Sequence, residues 1–134
     1  MKVRSLCVLV AAGLSVAAIP AVAHHSFAAE YDSNKPISLT GTVTKMEWTN
    51  PHARFYADVK AADGTMVNWE FELGSPNGLM RRGWTRNSLK PGDNISVEGY
   101  TAKDGSHLVN ARTVSLADGR KIFAGAAEDG GPSK

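Results

Sequence analysis

Residues 53–73 alternate apolar and polar side chains in two runs separated by Asp63-Gly64. Ala53, Phe55, Ala57 and Val59 share one face of the first run, with His52, Arg54, Tyr56 and Asp58 on the other. In the second run Val67, Trp69, Phe71 and Leu73 oppose Met66, Asn68, Glu70 and Glu72. A period of two is the period of a strand, and Asp-Gly favours a tight hairpin turn. A chain with this stretch must build a sheet that is apolar on one face and polar on the other, and the rest of the chain must cover the apolar face.

The other runs are of the same kind. Ile37 to Trp48 alternates Ile37, Leu39, Gly41 and Val43 with Ser38, Thr40, Thr42 and Thr44, and Gly41 marks a bend or bulge. Trp48-Thr49-Asn50-Pro51 ends it, since Pro51 cannot donate to a ladder. Ser75-Pro76 reads as N-cap and first position of a short helix, with Leu79 and Met80 as apolar contacts and Gly83 as its stop. Leu89-Lys90-Pro91-Gly92-Asp93 turns the chain into Asn94 to Tyr100, with Ile95 and Val97 facing inward. Lys103-Asp104-Gly105-Ser106 turns it again into His107 to Leu116. There the parity slips, with Val109 and Ala111 on one face and Val114 and Leu116 on the other, which predicts a bulge or a crossing. Asp118-Gly119 can return a last short piece, Lys121 to Phe123. Three strands, a helix and two strands is the order of an all-β, OB-like five-stranded barrel with one short helix between strands 3 and 4. A small β-sandwich is the alternative, and the helix favours the barrel. Trp48, Trp69 and Trp84 are expected in or beside the core.

The N-terminal end has a different composition. Lys2 and Arg4 precede an apolar run from Leu6 to Ile19, and Ala21-x-Ala23 is the small-x-small pattern of a signal-peptidase site. The expected organisation is a signal peptide over 1–23, an arm over 24–35 pinned by Phe27 and Tyr31, a β domain over 36–124 and a tail over 125–134. Cleavage after Ala23 implies a periplasmic or secreted protein without stable membrane insertion, and it removes Cys7, leaving no thiol. Disulfides and thiolate metal sites are then excluded. Of fifteen basic residues thirteen remain beside thirteen acidic ones. So nearly neutral a chain is not suited to nucleic acid, whose binding requires many neutralised phosphates.

The same cut makes His24 the first residue and His25 the second. An α-amine loses its proton at about 7.7–8.0, far more readily than a lysine. With the His24 ring it forms a chelate, and one further imidazole completes an all-nitrogen set of the kind Cu(II) favours. His25, His52 and His107 are the candidates for that imidazole, and His52, on the polar face beside Pro51, is the best placed. His107 follows a turn and is expected at the surface. Amine plus two imidazoles resembles the histidine brace of copper monooxygenases and the N-terminal site of periplasmic copper carriers, a likeness confined to His24 and His52.

A broader likeness covers most of the chain. His24-His25-Ser26, Trp48-Thr49-Asn50-Pro51-His52, Gly83-Trp84 and Leu89-Lys90-Pro91-Gly92-Asp93 resemble an uncharacterised family of exported bacterial proteins. The resemblance implies export and a common fold, and lends no activity.

Three functions follow as expectations. One is binding of copper or another transition metal by His24, His25 and His52. The second is a metal-free module that takes an envelope protein, peptide or glycan on Arg54, Tyr56, Asn68, Glu70 and Glu72, the polar face of the second and third strands. The third is a copper-dependent oxidative enzyme. Catalysis is the less favoured: Glu70 and Glu72 lie two apart on one face, yet no nucleophile, phosphate loop or His-Glu-x-x-His accompanies them.

Overall fold

The computed structural model describes residues 27–125. In chain order they form α1 (Phe27–Glu30), β1 (Tyr31–Glu47), β2 (Arg54–Lys60), β3 (Met66–Glu72), α2 (Pro76–Met80), β4 (Asn94–Ala102), β5 (Leu108–Leu116) and β6 (Lys121–Phe123). The expected leader, His24, His25, Ser26 and all of the tail after Gly125 lie outside the described residues.

The fold is mainly β. One six-stranded sheet runs β3-β2-β1-β4-β5-β6 with antiparallel neighbours, and β3 also meets β5 in parallel through Glu70, Phe71 and Glu72. The bonds therefore ring through five strands. All six strands belong to one sheet, which is not the arrangement of a two-sheet sandwich. Where five strands and one helix were expected there are six strands and two short helices. The added helix, α1, is a single turn held by the β4–β5 connection, where Lys103 gives its backbone N–H to the Glu30 carbonyl and its Nζ to that of Ala28.

The β2–β3 hairpin forms around Asp63-Gly64 with the expected faces, and its register sets Phe55 opposite Phe71 and Ala57 opposite Trp69. Phe55, Ala57, Phe71 and Leu73 are at most 1% exposed, and the Phe55 and Phe71 rings stack at 4.7 Å. Phe55, Phe71 and Leu73 each contribute roughly 1.5–3 kcal/mol by leaving water. Ile95, Val97 and Val43 complete the same core from β4 and β1.

Two bulges set which residues face it. In β5 Glu98 pairs with Thr113 and Gly99 with Ala111, so Arg112 is the extra residue. That one insertion lets Val109, Ala111 and Val114 all point inward and accounts for the slip in the pattern. In β1 the extra residue is Thr44, between Val43 opposite Ala57 and Lys45 opposite Tyr56. Gly41 is thus not the bulge. It pairs with strands on both sides, and a Cβ there would lie 2.5 Å from the Asp58 carbonyl oxygen.

β1 begins at Tyr31 rather than Ile37, its register shifting between Tyr31 and Pro36. Asp32-Ser33-Asn34 makes its turn within the strand, with Asp32 Oδ1 accepting the Asn34 N–H at 2.9 Å. α2 starts as predicted, Ser75 Oγ accepting the Gly78 N–H at 3.2 Å with Pro76 in the first turn. Leu79 is fully buried, whereas Met80 is 51% exposed: on so short a helix only one of two adjacent side chains can face the core. β6 fills in beside β5, where Ala124 bonds Arg112 and Gly74, Trp84 donates its indole N–H to the Phe123 carbonyl, and Arg82 reaches the Gly125 carbonyl. No helix among the described residues is long and apolar enough to cross a membrane.

Candidate functional site

The polar side of the β2–β3 hairpin carries most of the candidate residues. Ala53 gives its N–H to the Gly74 carbonyl and accepts that of Leu73, which holds the start of the second run against the end of the third. His52 is thereby brought beside Glu72. Its Nδ1 lies 2.9 Å from Glu72 Oε1. In the neutral tautomer whose Nδ1–H donates to that carboxylate, Nε2 carries the lone pair, on a ring one quarter exposed.

Glu72 collects two further donors on its other oxygen: the Tyr31 hydroxyl at 3.0 Å and Arg54 Nη2 at 3.1 Å. Arg54, directly opposite Glu72 in the ladder, also donates Nη1 to Glu70 Oε1. Strand alternation predicts Glu72 on a solvated face, yet it is only 5% exposed. The reason is the N-terminal arm. Phe27 stacks on Tyr31 at 5.6 Å and meets Tyr100 edge-on at the same distance. The Arg112 guanidinium, thrown outward by the β5 bulge, lies over both Phe27 and Tyr100. Tyr31, held by this packing, lies against the carboxylate, and Asn110 of β5 pairs with Glu72 in the ladder. Burial of a charged carboxylate costs several kcal/mol, which three bonds to it at about 1.5–3 kcal/mol each are enough to offset.

The neighbouring ionisations follow from this packing. Burial pushes the Tyr31 phenol well above the ordinary tyrosine range, reinforced by the charges of Glu72 and Glu30. Burial opposes the Arg54 charge, but the bond to Glu70 and the nearby carboxylates outweigh it, and its pKa rises. Tyr56 is raised by burial and by Glu70 and Glu47, while the bond from Lys45 lowers Glu47.

Arg54, Tyr56, Asn68, Glu70 and Glu72 do share one face, as expected, but they bond mainly to one another and to their neighbours. Tyr56 donates to Glu47 at 3.3 Å, and Asn68 donates to Thr44 and Asp58. Glu70 and Glu72 are joined through Arg54, so the two carboxylates do not form a paired acid and base. His107 is exposed and lies against the Trp69 ring at 4.7 Å. Among the described residues no three His, Cys, Asp or Glu side chains gather as a metal site. His52 is the one expected ligand that is described; His24 and His25 lie outside. Tyr31 and Arg112 belong to the site without having been singled out for it, and the only sequence signal was the aromatic character of the arm.

A family model matches residues 11–110. The chain belongs to DUF6152, a family of unknown function. The DUF6152 match takes in His24, His25, Tyr31, His52, Arg54, Glu70 and Glu72, and it ends at Asn110, inside β5 and short of Arg112. No curated protein matches this DUF6152 chain.

Proposed function

We propose that this protein is an exported OB-type barrel, cut after Ala23, that binds copper or a similar ion through the α-amine and ring of His24 and Nε2 of His52, with His25 as auxiliary. The observation that carries the reading is the hydrogen bond from His52 Nδ1 to the buried carboxylate of Glu72. Metal-binding imidazoles characteristically give their other N–H to such an acceptor, which fixes the tautomer and ring orientation and raises ligand basicity. The arm supports it too. Tyr31 bonds the same carboxylate, and His24 stands three residues before Phe27, a reach of about 10 Å in extended chain.

The metal-free reading has weaker support, because the polar groups it would use on β2 and β3 are engaged with each other. The oxidative enzyme adds a requirement for turnover that no described group serves.

The test uses the exported, processed protein with its start established by mass spectrometry. Cu(II) is added and the paramagnetic spectrum recorded. A nitrogen-dominated spectrum is expected, which changes in both His24→Ala and His52→Ala. One extra residue before His24 should weaken binding at least tenfold, since the chelating amine becomes a peptide nitrogen. Spectra identical in both variants end the proposal, as does a mature start elsewhere.

A further inference from the structure

We infer that Glu72 is a joint between the His52 imidazole and the N-terminal arm, so that a divalent cation held at His52 Nε2 steadies Phe27–Tyr31, and a steadied arm tightens the hold on the cation. The inference rests on the copper reading above and adds to it a regulating contact that lies entirely within the described residues.

The geometry is specific. The two oxygens of one buried carboxylate serve different parts of the chain: Oε1 takes His52 Nδ1, and Oε2 takes the Tyr31 hydroxyl. Arg54, bonded to Oε2 and to Glu70, stops the carboxylate from rotating freely. Tyr31 is 2% exposed and carries Phe27 on its ring, so the arm cannot leave without uncovering Glu72. Lys103 in the β4–β5 connection and Arg112 in β5 grip the same turn. A cation on Nε2 makes Nδ1–H a stronger donor and fixes the imidazole, and with it the carboxylate to which Tyr31 bonds. Order imposed from one side need not be imposed again from the other, which is positive coupling. Such coupling is reciprocal, and about fivefold is the lower end of its usual size. Glu72 and Tyr31 are positioning residues in this scheme; neither touches the metal.

Hydrogen exchange of the Phe27–Tyr31 amides is measured on processed protein with and without Cu(II), alongside copper affinity. Tyr31→Phe keeps the ring and its stacking on Phe27 and removes only the hydroxyl; Glu72→Gln, which perturbs three donors, is the second variant. Copper should slow exchange across the arm about fivefold in the unaltered protein. In Tyr31→Phe that slowing should shrink to what the attachment through His24 itself imposes, and affinity should fall with it, the nitrogen pattern of the spectrum staying the same. A Tyr31→Phe protein that binds as tightly and protects its arm as well overturns the coupling while leaving the copper reading in place. If His52→Ala leaves copper uptake undiminished, the reading itself fails and the coupling with it.

Discussion

Trp84 donates its indole N–H to the backbone carbonyl of Phe123 at 3.0 Å, tying the segment after α2 to β6 across the flank of β5. Trp84 is 1% exposed, so a smaller ring there leaves a gap in the core as well as removing the donor. Trp84→Phe should therefore cost about 2 kcal/mol or more, combining the lost bond with lost volume. Denaturant unfolding checks it; a change below about 0.5 kcal/mol is incompatible with the bond as described.

The adjacent residues Leu79 and Met80 should respond in opposite ways. Leu79 is fully buried and Met80 half exposed. Leu79→Ala should destabilise by about 2–5 kcal/mol, and Met80→Ala should fall within about 0.5 kcal/mol of the parent. Thermal melts of the two variants decide it, and comparable losses would contradict the assignment.

Gly99 faces the backbone of β5 with no room for a side chain. A Cβ would stand 2.1 Å from the Asn110 carbonyl oxygen, so Gly99→Ala must push two paired strands apart. A loss of about 3 kcal/mol is expected, at the upper end for overpacking. Denaturant unfolding measures it, and a stability equal to the parent's would show that the two strands pass less closely.

Alkaline pH should act through Tyr31. Its folded pKa is raised by burial and then by Glu72 and Glu30, so the folded chain holds a proton that the unfolded chain releases above its ordinary value of 10.0. The stabilisation is complete below that pH and declines as pH rises past it, by about 1.4 kcal/mol per pH unit for one proton. Unfolding curves between pH 9 and 11.5 should show the decline, and Tyr31→Phe should flatten it.

The hairpin could be read from sequence because its alternation is local: each residue of β2 and β3 states its own face. The slip at Val114 was visible as well, since a bulge moves every later residue to the other face. What could not be read is what covers the polar side. Glu72 looks like any outward strand carboxylate, and only the path of the arm, which brings Tyr31 across to β3, makes it a buried one. Asp32-Ser33-Asn34 has the composition of a turn and makes one, yet the ladder to β4 spans it and resumes at Pro36. Met80 shows a smaller limit: in a five-residue helix there are too few turns for periodicity to choose a face.

Arg112 also brings the two described ends together. Its guanidinium covers Phe27, its carbonyl accepts the Ala124 N–H, and a side chain at Gly125 would touch its Nη1. A circular permutant that joins these ends through a short linker and opens the chain at the Asp63-Gly64 turn would keep every strand pairing but would carry no His24 and no α-amine ahead of it. Such a rearranged chain separates architecture from the proposed metal binding: it should fold like the parent and, on the copper reading, leave copper in solution.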